Sequence, residues 1–246
     1  MPRTFIINLP NGRTATVASV RNTTELVEAV SEMGLIQRRP ILVLVGGADG
    51  LRPIDRDRLR PIFDETLMPL VQRLGAAVVD GGTDSGVMGL MGRARNKAGS
   101  DSPLIGVVPA SMVTLPNQSQ QATGSLEVEP YHTHFILVPG SRWGDEAPWM
   151  TSTVQAMADG SPTVTVLVDG GETAWEDVSE SVRAQRPVIV IDGSGRVADI
   201  LAAALAGKQV EERALRLAGS GFLQAVRTDD GPAELTEAAM RILSPR

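Results

Sequence analysis

Residues 76–92 read AAVVDGGTDSGVMGLMG. The apolar run Ala76–Val79 predicts a strand, and Val87-Met88-Gly89-Leu90-Met91-Gly92 predicts the opening of a helix. Between them lies the turn Asp80-Gly81-Gly82-Thr83-Asp84-Ser85-Gly86. A strand that feeds a helix directly gathers unpaired backbone N–H groups and the positive end of the helix dipole at one point. A phosphate or another anion binds well there, and glycines let the chain turn and a ligand approach the backbone. The competing reading is a tight turn whose glycines serve packing alone.

The design repeats along the chain. ILVLV (41–45), AAVV (76–79), LIGVV (104–108), FILV (135–138), TVTVLV (163–168) and VIVI (188–191) are strand-length and lack alternation. Such runs suit strands buried on both faces. Helical patterns separate them. Leu59, Ile62, Phe63, Leu67, Leu70, Val71 and Leu74 mark one face, with Pro61 expected in the first turn and Pro69 expected to kink the helix. Further helices are expected over about 85–98 and 145–157, from Thr173, and as one last long helix from about Val197. This alternation predicts an α/β fold: a Rossmann-like, doubly wound, mainly parallel sheet with helices on both faces. Phe5–Leu9 and Thr14–Val20 flank Asn11-Gly12 and predict a hairpin. A short helix follows, capped by Asn22 and ended by Gly34. Residues 1–38 thus read as an N-terminal hairpin-and-helix appendage to a domain over 39–246.

In a parallel sheet all strand-to-helix loops share one edge, where ligands bind. Four such loops are glycine-rich: Gly46-Gly47-Ala48-Asp49-Gly50, Gly81–Gly86, Asp169-Gly170-Gly171-Glu172-Thr173 and Asp192-Gly193-Ser194-Gly195. They predict a site for a phosphate-bearing ligand. Its phosphates are expected on the amides of Gly81, Gly82, Thr83, Ser85, Gly86, Val87 and Met88, and again on Gly193, Ser194, Gly195 and Arg196. Gly46, Gly47, Gly170 and Gly171 would floor the cleft. Gly193–Ala198 also fits G-x-G-x-x-A, but it closes the last clear strand–helix unit, which argues against an ordinary NAD dehydrogenase. Arg93 is a further candidate phosphate donor, and Asp145 and Glu146 read either as helix-start acids or as holders of a ribose, Glu146 being the candidate site residue. Trp143, Trp149 and Tyr131 are candidates for stacking on a base. His132 and His134 stand two apart before a strand, with no third ligand in a metal-binding pattern. Hydrogen bonding, either structural or toward the ligand, is therefore expected of them rather than zinc binding, with His134 counted among the ligand-binding residues. Glu172 and Glu176 are the carboxylates for any hydrolysis, although Thr173-x-x-Glu176 also reads as a capping box.

Composition narrows the classes. The 246 residues carry a net charge of −6, no cysteine, and 23 basic residues of which only Lys97 and Lys208 are lysine. Without cysteine there is no disulfide framework and no thiolate site. Interspersed charges argue against nucleic acid as a partner, and the apolar runs are too short for a membrane span. The N-terminus lacks the apolar stretch of a signal peptide, so a cytoplasmic protein is expected.

Residues 81–88, 132–138, 167–171 and 187–201 resemble, in order, the motifs of the SLOG superfamily, in particular its prokaryotic branch related to the N-terminal domain of TRPM cation channels. The resemblance implies a Rossmann-like fold that binds nucleotides such as ADP-ribose, AMP or NAD-derived molecules. It also implies a sensor role, with a homo-oligomer or a separate effector protein as partner. A more distant likeness is to the Lonely Guy phosphoribohydrolases, with their GGG-x-x-G-x-M-G and PGG-x-GT-x-x-E stretches. Gly81–Gly89 echoes the first. In the second, Asp169 replaces the proline and no glycine precedes Thr173. A hydrolase would cut the N-glycosidic bond of a nucleoside monophosphate or an NAD-like substrate, with Glu172 or Glu176 against the ribosyl cation.

Overall fold

The computed structural model describes residues 2–47, 53–116 and 124–244. Residues 48–50 of the first glycine loop lie outside them. The apolar runs form the strands β3 (Ile41–Gly46), β4 (Ala77–Asp80), β5 (Leu104–Pro109), β8 (His134–Val138), β9 (Thr163–Val168) and β10 (Val188–Asp192). The hairpin β1 (Arg3–Asn8) and β2 (Thr14–Ser19) precedes them, β6 (Val113–Thr114) and β7 (Leu126–Glu127) make a short side pair, and β11 (Leu223–Arg227) follows. The large sheet runs β1-β2-β8-β5-β4-β3-β9-β10-β11 and is parallel except for the β1–β2 pair. The hairpin is joined to it through β2, which lies parallel to β8. Chain order reverses between β3 and β9, which sit side by side at the centre of the sheet.

Successive side chains of a strand point to opposite faces, so each central strand supplies two cores. Ile41, Val43 and Val45 face α1 (Thr23–Glu32), α5 (Ala147–Ala158), α6 (Thr173–Arg183), α7 (Arg196–Leu205) and α8 (Glu212–Ala218). Leu42 and Leu44 face the layer of α2 (Pro53–Pro61), α3 (Met68–Leu74), α4 (Gly86–Lys97) and α9 (Gly231–Leu243). The doubly wound arrangement expected from the strand pattern is therefore present.

Three local readings are corrected. Pro61 ends α2 rather than sitting in its first turn. Pro61 and Pro69 flank a π-helical turn, Ile62–Leu67, in which Met68 N–H reaches back to Phe63. A proline has no N–H for the ladder and crowds the turn before it, and a wider turn relieves both. The long helix expected from Val197 stops at Leu205, where Gly207 takes a φ of +75° and donates to Ala204. The chain then adds α8, β11 and α9. The capping box at Thr173 is absent, because Glu172 is the N-cap of α6 and makes no side-chain cap.

Candidate functional site

A cleft of about 330 Å³ opens at the carboxyl edge of the sheet, beyond the paired ends of β3 and β9. Gly46, Gly81, Thr83 and Met88 line it on the α4 side, and Trp143, Glu146, Gly171, Thr173 and Asp177 on the α5–α6 side. Glu172 and Arg196 add charged groups to the lining, and Leu44, Val45, Leu126 and Met150 add apolar ones.

The first anion cradle is largely filled by the protein itself. The N–H of Gly82 donates to the Asp80 carboxylate at 2.7 Å. Asp84, Ser85 and Val87 donate to the carbonyls of Glu127, Thr83 and Gly47. Among the described residues, the N–H groups of Gly86 and Met88 at the start of α4 have no acceptor. Thr83 Oγ1 and Ser85 Oγ share a hydrogen bond of 2.8 Å, with Thr83 on the cleft wall. Arg93 is exposed and turns back to Asp84 at 3.3 Å, off the cleft.

The second cradle is closed by an internal carboxylate. Asp199 Oδ1 accepts from Gly193 N–H at 2.8 Å and from Gly195 N–H at 3.1 Å, and Ser194 N–H donates to Ile191. These amides are thus not available to a phosphate, and Asp192 lies behind them at the end of β10. Arg196 grips Asp169 with both arms of its guanidinium, Nε to Oδ1 at 2.8 Å and Nη2 to Oδ2. Asp169 is fixed further by Ser194 Oγ, which accepts its N–H at 2.8 Å.

Most of the loop glycines answer packing. A Cβ on Gly46 would overlap the Val168 carbonyl oxygen, and one on Gly47 would overlap the Arg196–Asp169 clasp. Gly170, at a φ of +104°, lies against Ala174. Gly81 and Gly171 differ: both line the cleft, and a Cβ there meets nothing closer than 3.8 Å and 3.4 Å.

The acid side of the cleft rests on two carboxyls. Glu146 is 8% exposed, and its Oε2 accepts the N–H of Gly144 at 2.7 Å. Burial pushes its pKa up, opposed by backbone hydrogen bonds. Asp145 instead ties down its own loop through Ser141 and Arg142, which hold its pKa low. Asp177 keeps one solvent-facing edge as a residue, but its carboxyl is enclosed. Burial, then the charges of Glu146, Glu176 and Glu180, push it well above the usual carboxylate range. Sequence reasoning overlooked Asp177. The signal was there: in PGG-x-GT-x-x-E the acid stands eight residues after the proline, and eight residues after Asp169 is Asp177.

Of the two acids named from sequence, Glu172 stands on the cleft rim and Glu176 does not line the cleft. Glu172 turns outward to a bidentate contact with Arg213, which lowers its pKa and stacks over Trp175 at 4.0 Å. Glu176 is exposed on α6 and does not line the cleft. The histidines do not reach the cleft either. His134 opens β8 at the opposite edge, bonds Thr133 Oγ1 at 2.8 Å, and is pushed down to about 4 by burial and by Arg95. His132 is wholly buried and donates from Nδ1 to Glu129 Oε2 at 2.9 Å and from Nε2 to Asp80 Oδ1 at 2.8 Å. Of the aromatics, Trp143 lines the cleft, Trp149 packs on the core, and Tyr131 is held by Glu129 and Arg95. Among the described residues no three His, Cys, Asp or Glu side chains are grouped to hold a metal ion, and no helix is long and apolar enough to cross a membrane.

Fold and cleft together define a doubly wound α/β domain with its cleft at the topological switch point. The family described as SLOG in TRPM, prokaryote, matches residues 39–237, and the chain belongs to it. It is 27% identical over 198 residues to a TRPM member-like 2 channel of Nematostella vectensis, covering 65% of this chain and 13% of that protein. It is 24% identical over 197 residues to TRPM member 2 of Mus musculus, covering 66% and 13%. The chain therefore spans only a small part of these channels. The X-ray structure of TM1055, a structural genomics target, shares the fold with a TM-score of 0.55 at 19% identity, covering 82% of this chain and 99% of that one.

Proposed function

We propose that the chain binds a nucleotide, of the ADP-ribose, AMP or NAD-derived kind, as the ligand-sensing part of a system whose effector is a separate protein. The observation that carries this is the position and lining of the cleft. It lies at the switch point, with Met88, whose amide is open at the start of α4, and the unencumbered Gly81 and Gly171 on its walls. Trp143 offers a face for a base, and Glu146 and Asp177 offer oxygens for ribose hydroxyls.

Binding is favoured over cleavage by the loop after β9. Asp169 has a φ of +61°, which a proline ring forbids, so this loop cannot take the shape that the hydrolase motif requires. Glu172 is clasped by Arg213 and Glu176 faces solvent, so neither is placed against a ribosyl cation. The observation favouring hydrolysis is the Glu146–Asp177 pair, since carboxyls with raised pKa values serve as general acids.

Thermal-shift titration with AMP, ADP-ribose and NAD tests the reading. At about 100 times its dissociation constant the correct ligand stabilises the fold by about 2.7 kcal/mol. No shift with any of them at millimolar concentration removes the proposal. Affinity for these anions is expected to fall as pH rises, because Glu146 and Asp177 gain charge beside the ligand; a pH series of titrations checks this. Chromatography of the same mixtures is expected to show no released adenine or nicotinamide. Release that Asp177→Asn abolishes would establish the hydrolase instead.

A further inference from the structure

A second cavity, of about 290 Å³, lies between the end of α2, the π-helical turn, β10–β11 and the start of α9. Its size is close to the lower end of small-ligand pockets, about 300 Å³. Ile62, Ile191, Val226 and Leu235 give it an apolar wall, and the last three are buried. Arg58 and Arg227 line it as well. Arg58 is held in place by donating from Nη1 to the Gly193 carbonyl at 2.5 Å and from Nη2 to that of Ser194 at 3.4 Å. A guanidinium has five N–H donors, so these contacts leave capacity for a ligand. Arg227 is 63% exposed, and the partner of its guanidinium is Asp229 at 3.4 Å. Arg58, Arg227 and Asp229 leave one net positive charge at the cavity.

We propose that this cavity is a second binding site, for a small carboxylate with an apolar body. The single excess charge suits a monoanion better than a phosphate ester, and guanidinium forks match the two oxygens of a carboxylate. The site is separate from the cleft, because the Gly193–Ser194 loop stands between them. Ser194 reaches Asp169 on the cleft side, and Gly193 packs so closely on Thr228 that an added Cβ would lie 2.6 Å from its Oγ1. The π-helical wall is a form of helix that recurs at functional sites.

Octanoate is the probe, measured by calorimetric titration of the full chain, with octanol and inorganic phosphate as controls. Octanoate is expected to bind at least about tenfold more tightly than either control, because each control lacks one half of the recognition. Arg58→Gln and Arg227→Gln are each expected to weaken octanoate by about tenfold or more. Both side chains are exposed, so the variants should fold. Absence of octanoate binding at millimolar concentration, octanol binding equally well, or binding unchanged in both variants would each overturn the proposal.

Discussion

His132→Leu is expected to destabilise the fold by about 3–5 kcal/mol, read as a lowered urea midpoint at pH 6. The side chains of His132, Asp80 and Glu129 are all fully buried, and the imidazolium donates to both carboxylates. Burial opposes its charge, but Asp80 and Glu129 outweigh this and raise the pKa from 6.5 to about 9. Leucine would leave two carboxylates in the interior without their cation. Two of their oxygens, Asp80 Oδ2 and Glu129 Oε1, already lack a hydrogen-bond partner. A group whose pKa is raised on folding contributes its stability in full below the unfolded value. That contribution is lost as pH rises through the folded value. Wild-type stability should therefore fall by about 3 kcal/mol between pH 6.5 and 9, and His132→Leu should lose this slope. A wild-type midpoint flat across that range would show that His132 is neutral. The network matters to the cleft because Asp80 also accepts the N–H of Gly82, and Glu129 N–H donates to the Gly82 carbonyl. The loop that opens α4 is thus held from beneath by a buried charge cluster.

The architecture was legible because fully buried parallel strands carry an unmistakable apolar signature, as in ILVLV and TVTVLV. β11 carried no such signature. LQAVR is an edge strand in which Leu223 and Val226 are buried and Ala225 and Arg227 are exposed. The placement of the loops at one edge followed from topology, but the use of their amides did not. Which acceptor fills a helix N-terminus depends on tertiary neighbours. Asp199 answers Gly193 and Gly195 from the helix that follows them, while Val87 is answered by Gly47 from the loop after β3. His132 and His134 read as a pair because they are two apart, yet only His134 belongs to the strand, so the alternation that would place them on one face does not apply. Asp177 was hidden by Thr173, whose resemblance to a capping residue drew attention to Glu176 one position earlier.

Gly46→Ala and Gly171→Ala are expected to behave oppositely, although both remove a glycine from the cleft wall. Gly46 pairs with Val168 across β3 and β9, and the new methyl would overlap the Val168 carbonyl oxygen and press on Val87. A carbonyl in the central ladder cannot swing aside as a side-chain end can. The sheet must open at its switch point, at a cost of about 1–3 kcal/mol or more. Gly171 has no such neighbour: its methyl would sit 3.4 Å from Arg196 Nη1, an ordinary contact, and would project at the cleft. Its folding stability should stay within about 0.5 kcal/mol of wild type. Its affinity for the nucleotide should fall, because the backbone can no longer be approached closely. Urea unfolding and ligand titration on the two variants separate the effects. If Gly171→Ala binds as well as wild type while folding normally, the ligand does not lie on this wall. If Gly46→Ala is as stable as wild type, the close approach of β3 to β9 at the switch point is not what requires glycine there.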